Sequence, residues 1–373
     1  MTQKSSMKEI YKIAFSFLNG LGPVNSKKVI AYTGSPEAFF TEKKQNLLKI
    51  PGIGNSFLSK LDRSNALLLA EKELEFLKDN DIKYSFYLDK TYPQRLLHCA
   101  DSPCILYYKG ETDFNAERTI SIVGTRNASD YGREMCNKLI QDLSEKEIKP
   151  TIISGLAYGV DICAHKAALR YNLPTIAALG HDLNQMYPAQ HKKYAAEITN
   201  HGAIVSEFTS KSKFDPKNFV RRNRIIAGMA DATIVIESAA KGGSLVTADI
   251  ANSYNRDVFA FPGKTTDRFS TGCNQLIKTN QAHLIESAKD LEYILGWENR
   301  TPKKKEIQTQ LFVELSKEEE IIANILKQEN KTPIDILCMK TSFPMSKVSS
   351  LLLKLEFNGI VQSHPGKIYS LNS

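Results

Sequence analysis

The chain has 373 residues, 49 Lys and Arg against 41 Asp and Glu, a formal charge of +8 and 42% hydrophobic residues. That composition excludes a wholly disordered or collagen-like chain, and the length predicts two or three domains at roughly 100–200 residues each. No apolar run approaches the roughly 18 residues needed to cross a bilayer, and residues 1–7 lack the apolar core of a secretory signal, so a cytoplasmic protein without a membrane partner is expected. The cation excess is compatible with a polyanionic partner but does not require one.

Residues 1–80 read as helical. Two similar punctuation marks, Gly20-Leu21-Gly22-Pro23 and Pro51-Gly52-Ile53-Gly54, each precede a helical stretch. The pattern resembles a tandem helix-hairpin-helix (SAM-like) unit, in which glycines let the hairpin turn tightly and helix N–H groups can face a phosphate. A glycine-capped helical pair that only packs would show the same marks.

From residue 119 the texture changes to short β-branched runs between helical segments. Strands are expected at 119–123, 151–153, 175–179, 203–205, 233–236, 258–261 and 283–285. Near-continuous apolar strands alternating with helices predict an α/β fold, a doubly wound, mostly parallel Rossmann-like sheet covered on both faces. Met135, Leu139 and Leu143 recur every four residues, as a helix packed on that sheet requires. The polar stretch 298–315, with lysines at 303–305, reads as a linker. Helical patterns at 317–328, 333–339 and 346–358, then strands at 360–363 and 367–371 around Pro365-Gly366, outline a winged helix. The expected domains are 1–80, 81–297 and 316–373.

In open α/β sheets, ligands bind beyond the carboxyl ends of the strands. The first strand runs into Gly124-Thr125-Arg126-Asn127, with Ser129 as N-cap, and the second into Ser154-Gly155 and on to Gly159-Val160-Asp161. Later strands end before Lys241-Gly242-Gly243-Ser244 and Pro262-Gly263-Lys264. Four such turns on one edge predict a wide anion-binding rim. The rim is not a dinucleotide site, because GxGxxG is absent, and no GxxxxGK[ST] occurs.

The strongest charge cluster spans 209–224, where Lys211, Lys213, Lys217, Arg221, Arg222 and Arg224 face only Asp215. Asn223 lies within it. A run of this kind is usually a solvated face, but this one opens a helix and is interleaved with Phe214 and Phe219, as in a groove for single-stranded nucleic acid. Core packing is the alternative for either Phe. Asp161 and His165 stand at i, i+4 and could polarise each other, although helix capping is the more ordinary role for Asp161. Glu207 and Glu237 end strands and could serve as acids or as paired carboxylates. No Ser-His-Asp or two-carboxylate arrangement emerges, so no catalytic residue is expected. The six cysteines form no CxxC pair and the seven histidines no HExxH, so they read as reduced thiols without a metal site.

The chain resembles the DNA-processing protein A (DprA, or Smf) family in its three-domain form. The resemblance rests on Ser121-Ile122-Val123-Gly124-Thr125-Arg126, Ser154-Gly155-Leu156-Ala157-Tyr158-Gly159-Val160-Asp161 and Arg222-Asn223-Arg224-Ile225-Ile226-Ala227-Gly228. Gly243-Ser244-Leu245-Val246-Thr247-Ala248, Asp257-Val258-Phe259-Ala260-Phe261-Pro262-Gly263 and Gly272-Cys273-Asn274-Gln275-Leu276-Ile277 follow in the family's order. The resemblance implies a single-stranded DNA-binding protein that protects incoming DNA in natural transformation, works with single-strand-binding protein and loads RecA recombinase. It implies an extended Rossmann domain that forms a homodimer, roughly through 245–285, and needs no cofactor. The DNA contacts carried over are Arg126, Ser154, Gly155, Lys217, Arg222 and Arg224. Some members carry a lysine closely after Tyr-Pro; here Tyr187-Pro188 is followed by Ala189, with Lys192 and Lys193 slightly later.

A competing reading is a nucleotide-binding enzyme of the phosphoribohydrolase type. Those proteins carry PGGxGTxxE in the corresponding loop, whereas this chain reads GGSLVTA, with Ala248 at the position of the catalytic Glu. A third is duplex binding by the winged helix, whose recognition-helix segment 344–358 carries only Lys347 and Lys354.

Overall fold

The computed structural model describes residues 3–298, 315–329 and 331–372. From 299 to 314, the expected linker lies outside the described residues. The chain divides into two compact units, one of residues 1–252 and 258–288, the other of 253–257 and 289–373.

The first unit opens with helices, the longest being Gln3–Ala14, Pro23–Thr33 and Arg63–Asp79. The two glycine marks do equivalent work. Gly20 and Gly52 take φ of +83° and +79°, a left-handed conformation that costs glycine little. Gly22 and Gly54 then stand as extended N-caps of Pro23–Thr33 and Asn55–Leu58. Ile13, Ile30, Phe39 and Leu47 are fully buried in the core these helices share with Phe86 and Tyr107.

Nine strands form one sheet: β1 (Lys83–Phe86), β2 (Ile105–Gly110), β3 (Thr119–Val123), β4 (Thr151–Ser154), β5 (Thr175–Ala178), β6 (Gly202–Ser206), β7 (Ala232–Val235), β8 (Asp257–Ala260) and β9 (His283–Leu284). Their order is β1-β2-β6-β5-β4-β3-β7-β8-β9. From β6 through β7 neighbours run parallel, whereas β1 and β2 are antiparallel additions at one edge. All seven expected strands are present and the doubly wound class holds. The sequence reading missed β1 and β2. β1 is a four-residue strand with Lys83 exposed, and it pairs only with β2.

The order reverses at β3: β4, β5 and β6 continue to one side and β7 to the other. Ile120, Ile122, Ile152 and Ile153 are fully buried, as strands covered on both faces require.

In the second unit, helices Lys317–Gln328, Ile334–Thr341 and Met345–Phe357 pack around Ile322, Leu337, Val348, Leu352 and Leu355. Ser316 and Glu319 cap the first of these reciprocally, at 3.3 and 2.7 Å. A hairpin of β11 (Val361–His364) and β12 (Ile368–Leu371), joined by β10 (Thr332–Pro333), completes a winged helix.

Candidate nucleic-acid interface

Where strand order reverses, the turns after neighbouring strands diverge and leave a crevice. A cleft of about 380 Å³ opens there, lined by the turn after β3, the loop after β7 and the helix Lys217–Gly228.

The turn after β3 is held rigidly. Thr125 N donates to Glu237 O at 2.7 Å, and Val160 N donates to Thr125 O at 3.1 Å. Gly159, at φ +77°, abuts the Thr125 carbonyl so closely that a Cβ would collide with it. Ser129 caps the helix Asp130–Ser144, accepting from Gly132 N at 3.1 Å, and gives its own N–H and hydroxyl to Glu237 at 2.9 and 2.6 Å. Glu237 is therefore a positioning carboxylate, not a free acid. This framework leaves Arg126 exposed at the cleft.

The loop after β7 also lines the cleft and presents exposed Lys241, with exposed Gly243 opening the helix Gly243–Ser253. Ser244 is buried and donates to Ser238 Oγ at 2.9 Å, so its hydroxyl braces the loop. Asn223 Nδ2 reaches the Gly243 carbonyl at 3.5 Å, linking the loop to the basic helix.

Arg222 is 4% exposed and lies beneath the cleft. Its Nη1 donates to Gly155 O at 2.6 Å and to the Ala178 carbonyl. The guanidinium and the Asp161 carboxylate both lie 2.5 Å from where a Gly155 Cβ would stand. Gly155 is thus a glycine because two charged groups occupy its side-chain space. Burial pushes the Arg222 guanidinium down to about 10, with Asp161 opposing the shift and nearby Arg126 adding to it. Burial likewise raises the Asp161 carboxyl, against the pull of Arg222.

Eight of the sequence-predicted residues line the cleft: Gly124, Thr125, Arg126, Arg222, Asn223, Lys241, Gly243 and Ser244. The others do not. Ser154 is fully buried and donates to Ile122 O at 2.6 Å, and Gly155 serves through its carbonyl; both form the floor. Arg224 is buried on another side of its helix, where its Nη2 meets Glu207 at 2.5 Å and its Nη1 the Asp101 carbonyl. Arg221 shares that carboxylate at 2.5 Å and lies over the Phe208 ring. Glu207 thereby anchors two arginines and is no free acid. Lys217 and Lys264 are exposed outside the lining. The groove expected from charge count alone is therefore narrower in cations, because consecutive helical positions point to different faces.

An aromatic patch extends the site beyond the sequence reading. Phe219 lines the cleft, and its ring stands 5.6 Å from Phe214 and 5.6 Å from Tyr187, which lie 5.2 Å from each other. Phe214 is 50% and Tyr187 49% exposed, an arrangement that wastes apolar area unless a ring or base covers it. Tyr187 was missed as a stacking candidate because it lies far from the cations in sequence.

The Asp161–His165 pairing that the i, i+4 spacing allows, as the alternative to capping by Asp161, does not form. Thr175 Oγ1 donates to Ile152 O at 2.9 Å, so His165 Nδ1 donates to Thr175 at 2.8 Å. Burial, with Arg222 and His191 adding, pushes His165 down to about 3 from 6.5. Below pH 6.5 the unfolded chain takes a proton that the folded chain refuses, so this group's contribution falls by up to about 1.4 kcal/mol per pH unit toward pH 3. His165→Gln should shrink the stability difference between pH 7 and pH 5 by about 2 kcal/mol in denaturant titrations; an unchanged difference would exclude a buried neutral His165.

Among the described residues no cluster of three metal-ligating side chains occurs, and no helix is long and apolar enough to cross a membrane. The family model of DNA recombination-mediator protein A matches residues 83–295, and that of the DprA winged helix domain matches 309–367. The chain is 32% identical over 402 residues to Protein Smf of Synechocystis sp., covering 98% of this chain and 99% of that one. It is 38% identical over 204 residues to the DNA processing protein DprA of Streptococcus pneumoniae, covering 55% and 71%. The solved structure of DNA processing protein A from S. pneumoniae superposes with a TM-score of 0.62 at 31% identity, covering 77% of this chain and 97% of that one. That of DNA processing protein A from Helicobacter pylori, described for its single-stranded DNA binding mode, superposes at 0.51 with 28% identity, covering 58% and 96%. With the first model spanning more than half of its residues and the second its winged helix, the chain belongs to the DNA recombination-mediator protein A family, the DprA and Smf proteins that process DNA in recombination.

Proposed function

We propose that this chain binds single-stranded DNA without chemical turnover, protects incoming strands during natural transformation, and hands them to RecA recombinase in concert with single-strand-binding protein. One observation carries the reading: exposed Arg126 and Lys241 line one cleft with Phe219, whose ring packs against the half-exposed rings of Phe214 and Tyr187. Cations that take phosphates next to flat rings that take unpaired bases suit a single strand and not a duplex, whose bases are already stacked. The H. pylori relative's described binding mode supports the same substrate. The engagement of Asp161, Glu207 and Glu237 by partners supports a reading without turnover. A homodimer is supported by β9, an edge strand whose Leu284 is 47% exposed.

The winged helix is not assigned a duplex-binding role. Lys347 is paired with Glu318 at 2.5 Å and Lys354 with Glu319 at 2.8 Å. Leu353 and Phe357 are exposed on the same helix. A titration of labelled single-stranded and duplex oligonucleotides at physiological salt, with stoichiometry per protomer, tests the proposal. Clear preference for the single strand is expected. Equal affinity for the duplex would overturn it, and release of free base from a nucleotide would overturn the absence of turnover.

A further inference from the structure

The N-terminal helices touch the segment that leads into the basic helix. Glu73, on the helix Arg63–Asp79, is 2% exposed and gives both carboxylate oxygens to one residue 137 positions away. Ser210 N donates to Oε1 at 2.9 Å, and Ser210 Oγ donates to Oε2 at 2.5 Å. Burial raises the Glu73 carboxyl, and the Ser210 donors and Lys211 oppose that rise. Ser210 sits in a tight turn, with Ser212 N donating to Thr209 O at 2.9 Å and Thr209 N to Ser212 Oγ at 3.0 Å. Further along the segment, half-exposed Phe214 packs its ring against Tyr187 and Phe219. Asn218 Nδ2 reaches Lys213 O at 3.3 Å. Among the described residues, only the two bonds to Glu73 tie residues 209–214 by hydrogen bond or ion pair to chain outside 209–218.

We infer that Glu73 is a positioning residue for strand binding: it clamps the turn at Ser210 so that Phe214 stays on the aromatic patch, where an unpaired base stacks. This role rests on the single-strand reading of the cleft. Lys211, Lys213 and Phe214 are exposed, and a segment of that kind loses conformational entropy when held in one shape. A buried carboxylate offsets that loss, because opening the turn would leave Glu73 desolvated and without its donors. Bonds to an ionised acceptor are also stronger than neutral ones. Docking of the helix itself does not call for a charge. Leu74 and Leu77 of the same helix are buried in the core shared with Phe86 and Tyr107.

The test compares Glu73→Ala, Glu73→Gln and Ser210→Ala in the full-length protein. Gln keeps an acceptor for Ser210 N and offers a donor to its hydroxyl, so it should behave as the parent does. Tryptic cleavage after Lys211 and Lys213, followed by mass spectrometry, should be about fivefold or more faster in Glu73→Ala. Ser210→Ala should move the same way by less, and it changes a loop side chain, so it serves if Glu73→Ala does not fold. In anisotropy titrations well below each melting temperature, Glu73→Ala should bind an oligothymidylate about fivefold more weakly, the loss of one stacked base. An abasic strand of equal length should bind it as it binds the parent. Cleavage unchanged in both alanine variants would overturn the inference. So would equal weakening of both strands, or faster cleavage with undiminished oligothymidylate binding. A parent that binds the two strands equally would overturn the stacking reading of the cleft instead, and the cleavage rates alone would then decide whether Glu73 holds the turn.

Discussion

Arg222→Ala should lower the stability of the first unit by about 3–5 kcal/mol, because it leaves a buried Asp161 carboxylate without its cation. The Gly155 and Ala178 carbonyls lose their donor in the same step. At roughly 2–4 °C per kcal/mol for a unit of this size, the melting temperature should drop by about 10 °C. Arg222→Lys keeps a charge but cannot fork to two carbonyls, so it should recover only part of the loss. Combining Asp161→Asn with Arg222→Met removes both charges and should be more stable than Arg222→Ala alone. Denaturant unfolding of the four proteins measures this directly. A midpoint unmoved by Arg222→Ala would show that the guanidinium is not the keystone of the floor.

The second large effect is on affinity. Arg126→Ala with Lys241→Ala removes the two exposed cations lining the cleft, each worth about 1.5–3 kcal/mol if it holds a phosphate. Single-strand affinity should fall by about a hundredfold or more, and the slope of log affinity against log salt should flatten by about 1.4. Stability should stay within about 0.5 kcal/mol of the parent, as neither side chain is buried. Arg224→Ala is the informative contrast. It breaks an inward pair with Glu207, so it should cost stability while leaving the salt slope alone. If instead Arg224→Ala flattened the slope and the double variant did not, the binding surface would lie on the opposite face of the helix.

The sheet could be read from the chain because its strands are buried on both faces and announce themselves as apolar runs, as Thr119–Val123 does. β1 escaped notice for the opposite reason: its burial follows neither alternation nor a continuous run, and its partner β2 supplies the missing context. The site was legible at its glycine turns, where local chemistry dictates local shape. It was less legible in the basic helix. Charge counting treated Arg221, Arg222 and Arg224 as one patch, yet about 100° of rotation per residue sends one under the cleft and another toward Glu207. Tyr187 joins Phe214 only through tertiary packing, which no spacing in the sequence encodes.

The lock between the turns after β3 and β4 has a further consequence. Because the chain at Gly159 is pressed against the backbone that carries Arg126, the two turns move as a single casting. The aim of that arginine is inherited from a residue outside the cleft lining. Substitution is therefore open at the tips of side chains and at the rim beyond β7, but closed at Gly159, where any bulkier residue would displace the backbone that carries Arg126.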